Sequence, residues 1–197
     1  ILDHLDARGL AGNTLVIFTS DHGEMLGDHA MLLKGAMMYD PAVRVPMIAR
    51  WPGFIPAGRR VDGFVGIHDI ARTVRVAAGL PESPRDQGID LVAVSRGELP
   101  PRPFALSQYR DSGYSYDPQV FTKMFRSGTH KIIVWHGDPA TQRERTGELY
   151  DLVEDPNELT NRWDDAAWAP VKARLLAEMV DVVVALEDRR APRTRPW

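Results

Sequence analysis

Residues Thr14-Leu15-Val16-Ile17-Phe18-Thr19 form a largely apolar run without alternation, and Ser20-Asp21-His22-Gly23 follow at once. A strand that is apolar on both faces needs cover on both, as in a parallel sheet flanked by helices. The abrupt polar switch puts Asp21 and His22 at the carboxyl end of that strand, the edge where open α/β sheets bind ligands. Ile1 to Leu10 precede it as the end of a helix, with Ile1, Leu2 and Leu5 on one face and Gly9 placed to stop it. Gly12-Asn13 is the turn between. Helix, turn and buried strand make the αβ half of a doubly wound unit, so the first half of the chain is expected to be α/β.

The stretch to Asp40 carries Gly23, Gly27 and Gly35 without strong periodicity and reads as a long functional loop. Val45 to Ala49 is a second candidate strand, ended by Trp51-Pro52-Gly53. A helix is expected from Asp69 to Ala78, with Ile70, Val74 and Ala77-Ala78 on its apolar face and Gly79 after it. The Pro-rich segment Pro81 to Pro103 reads as a linker. The expected division is therefore 1–100, an α/β portion, and 101–197, a small α+β portion. In the latter, Lys123–Arg126 and Lys131–Trp135 form a hairpin, Glu148–Leu152 is a third strand, and a helix begins near Pro170. Val171, Leu175, Met179, Val182 and Leu186 give that helix one apolar face. The basic, Pro-containing end from Arg189 to Trp197 reads as frayed.

Composition excludes several classes. A net charge of -3 over 197 residues argues against a nucleic-acid binder driven by a broad basic field. No apolar run is long enough to span a bilayer. There is no cysteine, so there is neither a disulfide nor a thiolate nucleophile or ligand. No Asn-x-Ser/Thr acceptor occurs. The chain begins at Ile1 without a signal-like segment, which leaves cytoplasmic, periplasmic and secreted locations open.

Asp21 and His22 offer a carboxylate oxygen and an imidazole nitrogen, both ligands for a divalent cation, and a bend at Gly23 could turn both to one site. Such a pair also suits an N-cap beside a surface histidine. Lys34, in the same loop, could hold an anionic oxygen that gains charge in a transition state, or could be a solvated loop lysine.

The residues around them resemble a family. Thr19-Ser20-Asp21-His22-Gly23-Glu24, Leu26-Gly27-Asp28-His29, Lys34-Gly35, Met38-Tyr39-Asp40, Arg44-Val45-Pro46-Met47-Ile48 and Trp51-Pro52-Gly53 occur in the order seen in the C-terminal part of the sulfatase catalytic domain, in the alkaline-phosphatase-like superfamily. His68 to Thr73, Ala78 to Pro81 and Gly88 to Leu91 continue it. Glu148 to Leu152, Asp155-Pro156-Asn157-Glu158 and Asn161 resemble its small C-terminal subdomain. The resemblance implies the C-terminal part of an αβα sandwich plus a small antiparallel sheet with a terminal helix. It also implies that Asp21 and His22 are metal ligands and that Lys34 contacts the sulfate or phosphate group and the leaving oxygen. The cation implied is Ca2+, with Mn2+ the alternative, and the substrate is a small-molecule or carbohydrate sulfate ester. Leu33 departs from a common Gly, and Arg72 from a common Pro.

Family members carry their nucleophile as a formylglycine made from Cys or Ser in a Cys/Ser-x-Pro-x-Arg motif far upstream, with the other ligands. Glu82-Ser83-Pro84-Arg85 has the wrong spacing and is a decoy. The resemblance therefore implies a C-terminal fragment that is inactive alone and binds metal weakly. Asp40-Pro41 also resembles phosphonate monoester and phosphodiester hydrolases of the superfamily, the alternative reading. A third is a non-catalytic module that kept the fold. His29 is expected to brace its loop by a hydrogen bond, and His68 and His130 to be structural or exposed.

Overall fold

The apolar run folds as a strand, β1 (Val16–Thr19), in a computed structural model that describes residues 1–81, 83, 86–110, 119–137 and 144–186. Glu82, Pro84 and Arg85 of the decoy motif and the C-terminal stretch Arg189 to Trp197 lie outside the described residues. The described chain divides into two units. The first holds Ile1–Asp21, Pro46–Arg102 and, from the end of the last helix, Leu186. The second holds His22–Val45 and Pro103–Ala185. The loop after β1 thus groups with the later residues rather than with the rest of 1–100.

In the first unit, helix α1 (Leu2–Ala7) ends ahead of Gly9, whose φ of +67° suits the left-handed stop. Arg50, the last residue of the second strand, β2 (Met47–Arg50), donates to Asp6 of α1 at 2.7 Å, and Trp51 after it donates to the Gly12 carbonyl in the turn at 3.1 Å. The expectation of a parallel strand buried on both faces is corrected here. Among the described residues β1 pairs only with β2, antiparallel, with Phe18 opposite Ile48. These two side chains are 62% and 63% exposed. The sequence pattern registers a need for cover on both faces, and no described element lies over Phe18 and Ile48.

Helix α3 (Asp69–Ala77) has the expected span, after a short helix α2 (Asp40–Val43) in the second unit. Its buried side is not the apolar one. Val74 is half-exposed, while Asp69 and Thr73, one turn apart, are buried. The Asp69 carboxylate accepts from the amides of Gly66 (2.7 Å) and Ile89 (2.8 Å) and takes a bidentate pair from Arg102 (2.6 and 2.8 Å). Thr73 donates to the Asp69 carbonyl and accepts from the Leu91 amide. One side chain thereby joins two loops and Arg102, the last residue of the Pro46–Arg102 segment. Burial alone would raise the Asp69 pKa, but the bonds from Arg102, Gly66 and Ile89 outweigh it and hold the carboxyl below its usual range. Its contribution to stability is therefore present above about pH 4 and is lost as pH falls through the depressed value. Asp69→Asn should cost about 2 kcal/mol at neutral pH in urea denaturation, with the deficit narrowing in acid. A constant deficit across pH would show that the charge is not what matters.

The segment expected to be a linker contains helix α4 (Leu91–Arg96). Asp90 caps it by accepting from the Val92 amide at 2.9 Å, and Gly97 closes it at φ +80°.

In the second unit, β3 (Phe104–Arg110), β4 (Phe121–Ser127), β5 (His130–Trp135) and β6 (Thr146–Asp151) form an antiparallel sheet in that order. Gly128, at φ +59°, and Thr129 make the two-residue connection from β4 to β5. One face, with Phe125, Ile132, Val134 and Leu149, buries Leu175 and Met179 of the terminal helix α5 (Ala169–Leu186). The other face, with Met124, Ile133 and Tyr150, packs on Met38. Strand β3 was not expected. Its alternation fails after Leu106, as befits an edge strand.

Candidate functional site

Asp21 and His22 follow β1 by one residue and are exposed. Ser20 donates to the Asp21 carboxylate at 3.4 Å. His22 Nδ1 lies 2.8 Å from the Gly23 carbonyl oxygen. That oxygen can only accept, so Nδ1 is the donor in this hydrogen bond. A ring nitrogen fixed by a backbone carbonyl in this way is the usual support of a metal-binding histidine. The donor set thus fits a divalent cation in kind. It falls short in number, since among the described residues no three His, Cys, Asp or Glu side chains group to hold a metal.

Gly23 sets the path of the chain beyond the pair. Its amide donates to the Ala42 carbonyl at 2.8 Å, and a Cβ there would stand 1.9 Å from the Pro41 carbonyl oxygen. The requirement is close backbone approach, not the conformational freedom expected from sequence. Gly23→Ala should cost about 1–3 kcal/mol in thermal or urea unfolding, the range of overpacking. A neutral result would mean that this approach is loose.

Lys34 is half-buried, and its carbonyl accepts from the Met37 amide at 3.1 Å. Its ammonium has no ion-pair partner among the described residues. Between His22 and Lys34 the loop is strained. Leu26, His29 and Ala30 sit at φ +47°, +51° and +58°, and such backbone clusters at functional sites. His29 is braced by stacking on Tyr39, with ring centroids 3.8 Å apart, rather than by the expected hydrogen bond. His68 is half-exposed 3.5 Å from Asp69, and His130 stands edge-on to Trp168.

Behind this loop lies a polar core that sequence reasoning missed. Lys131 is fully buried and pairs with Asp40 at 2.8 Å and Glu158 at 2.7 Å. The Glu158 carboxylate also accepts from the Asp40 amide at 2.6 Å. Glu148 accepts from Trp135 and Tyr150 at 3.0 and 2.8 Å. Burial, with the nearby Glu148 charge, pushes the Tyr39 hydroxyl up to about 12, so it stays protonated in the physiological range. The motif Asp155 to Asn161 is a hydrogen-bonded scaffold. Asp155 accepts from Leu159 and Thr160, and Asn161 accepts from Leu149 and Trp163. A cleft of about 550 Å3 opens beside it, lined in part by Asp28, His29, Asp40, Arg44 and Asn157. Asp21, His22 and Lys34 do not line it.

Comparison with known proteins places this arrangement. Residues 27–185 match the family described as N-sulphoglucosamine sulphohydrolase, C-terminal. The sulfatase YidJ of Escherichia coli is 30% identical over 190 residues, covering 94% of this chain and 36% of its own length. The phosphonate monoester hydrolase of Agrobacterium radiobacter superposes with a TM-score of 0.77 at 30% identity, over 93% of this chain and 38% of that one. The structure of BT4656 with its substrate D-glucosamine-2-N,6-O-disulfate gives 0.80 at 25% identity, over 98% and 39%. The chain therefore spans well under half of the proteins it matches. It belongs to the sulfatase family and corresponds to that family's C-terminal portion.

Proposed function

We propose that this chain serves as the C-terminal portion of a metal-dependent sulfatase that hydrolyses sulfate esters of small molecules or carbohydrates. Asp21 and His22 would contribute two ligands to a divalent cation, Ca2+ in the first instance, and Lys34 would hold the ester group and its leaving oxygen. The observation that carries this is the Asp21-His22 pair at the end of β1, with Nδ1 of His22 held by the Gly23 carbonyl. A bound cation supplies neutralisation of the ester oxygens. Two protein ligands are too few for a hard cation, which takes about six to eight oxygens. The other ligands, and a formylglycine nucleophile, would come from sequence outside these 197 residues. The chain alone is accordingly expected to turn over no sulfate ester and to bind metal weakly.

Hydrolysis of phosphonate monoesters or phosphodiesters is the second reading. It is favoured by the 30% identity to the Agrobacterium radiobacter hydrolase and by Asp40-Pro41. The deciding experiment gives the whole protein an aryl sulfate and a phenyl phosphonate monoester side by side. A kcat/KM at least tenfold higher on the sulfate supports the first reading. The reverse preference selects the second, and no turnover of either with added Ca2+ or Mn2+ overturns both.

A further inference from the structure

The sheet face that turns away from α5 carries the loop from His22 to Val45, through Met38, Tyr39 and Val43. Lys131 stands opposite Tyr150 in the β5–β6 register and two residues from Ile133, so strand alternation puts it on this same face. Two limbs of the loop are fixed here. After Lys34, whose carbonyl accepts from the Met37 amide at 3.1 Å, alternate residues are anchored. Ala36 and Met38 are buried, and Asp40 pairs with Lys131 at 2.8 Å. On the other limb, the Gly23 amide donates to the Ala42 carbonyl at 2.8 Å, directly after His22. Ala42 is buried and belongs to α2, which begins at Asp40. Both limbs therefore depend on where Asp40 sits.

Asp40 is held from several sides. Its carboxylate meets Lys131 and, at 3.6 Å, Arg126, and its amide donates to the Glu158 carboxylate at 2.6 Å. Glu158 also pairs with Lys131 at 2.7 Å and sits at φ +58°, a strained backbone that persists only where its surroundings over-determine it. Lysine carries its charge on a flexible four-carbon stem, so the accuracy of Lys34 has to come from the backbone at its root. A displacement of about 1 Å at a reacting centre can cost about 10²-fold in rate.

We propose that Asp40, backed by Lys131 and Glu158, is a positioning residue that sets the root of Lys34 and the backbone after His22. It acts through Lys34 rather than on the substrate. This rests on the sulfatase reading above, in which Lys34 contacts the ester and its leaving oxygen.

A double-mutant cycle in the whole protein tests it, pairing Asp40→Asn with Lys34→Met and reading kcat/KM on aryl sulfates of graded leaving-group acidity. Asp40→Asn keeps the volume and the amide bond to Glu158 and removes the charge that faces Lys131. Circular dichroism and urea unfolding first show that each variant is folded under the assay conditions. Asp40→Asn should lower kcat/KM at least about tenfold, and less for better leaving groups, as expected for Lys34→Met. The double variant should lose no more than about threefold beyond Lys34→Met, because residues that act through one another are not additive. A loss of fold quality alone would multiply with that of Lys34→Met and would be the same for every leaving group. Either of those results overturns the proposal, as does an Asp40→Asn enzyme within about threefold of the wild type. Glu158→Gln, which leaves Asp40 intact, should show the same non-additive pattern at smaller size, and it decides the matter if Asp40→Asn does not fold. A fully active Lys34→Met enzyme overturns the reading of Lys34 and this proposal together. An impaired Lys34→Met enzyme with an indifferent Asp40→Asn overturns this proposal alone.

Discussion

Lys131→Met should destabilise the chain by about 3–5 kcal/mol at neutral pH, the cost of removing one partner of a buried ion pair. Lys131 is fully buried and is the cation between Asp40 and Glu158. Met fills much of its volume, so the loss is electrostatic more than steric. Asp40 keeps Arg126 at 3.6 Å and Arg44 at 3.8 Å. Among the described residues Glu158 has no comparable reserve and keeps the Asp40 amide at 2.6 Å. Burial already pushes the Glu158 carboxyl up, and Lys131 is the largest influence bringing it down. Without Lys131 the folded-state pKa rises further. A carboxyl raised in the folded state favours folding only below its unfolded pKa, and that contribution disappears as pH rises through the folded value. The deficit of the variant should therefore be smallest below about pH 4 and reach its full size at neutral pH. Adding Glu158→Gln should recover at least about 1 kcal/mol at pH 7, since the amide oxygen can still accept from Asp40. Urea denaturation across pH measures all three. A deficit independent of pH, with no recovery in the double variant, would assign the loss to packing.

That network marks where reading the sequence stops. Lys131 stands in a run that reads as a strand, and the hairpin it belongs to was legible because two short strand-like runs flank Ser127-Gly128-Thr129-His130. Nothing local to Lys131 tells that its ammonium is buried, because its partners are 91 positions earlier and 27 later. Asp69 teaches the same lesson. Its place at the start of α3 was legible, but its bond to Arg102 depends on the return of a chain 33 residues on. Helix α4 was hidden for another reason. Six residues with two valines and surrounding prolines carry little periodicity, and the signal present was the cap pair Asp90 and Gly97. Strand β1 was legible as a strand but not in its pairing, since a demand for cover does not name what supplies it. The Asp21-His22-Lys34 set could be proposed from the sequence because ligand types and spacing are local.

In the whole protein, Asp21→Ala and Lys34→Met should each lower kcat/KM on the preferred ester by about 10²–10³-fold, the scale for losing one preorganised charge at a reacting centre. Their signatures should differ. Asp21 is proposed to act through the cation, so its loss should appear as weaker metal binding, and excess Ca2+ or Mn2+ should restore at least tenfold of the activity. Lys34 is proposed to act on the ester, so excess metal should restore none, and esters with better leaving groups should lose less. His22→Ala should fall with Asp21→Ala, because both remove a ligand. His22→Gln, which keeps a neutral donor atom, should retain more metal affinity than His22→Ala. Both positions 21 and 22 are exposed and lie outside the buried networks, so none of these changes should move the unfolding midpoint of the metal-free protein by more than about 2–4 °C. A Lys34→Met enzyme rescued by cation, or an Asp21→Ala enzyme indifferent to it, would exchange the proposed roles. Full activity in both would remove the loop after β1 from the reacting centre and leave this chain a structural portion of the enzyme.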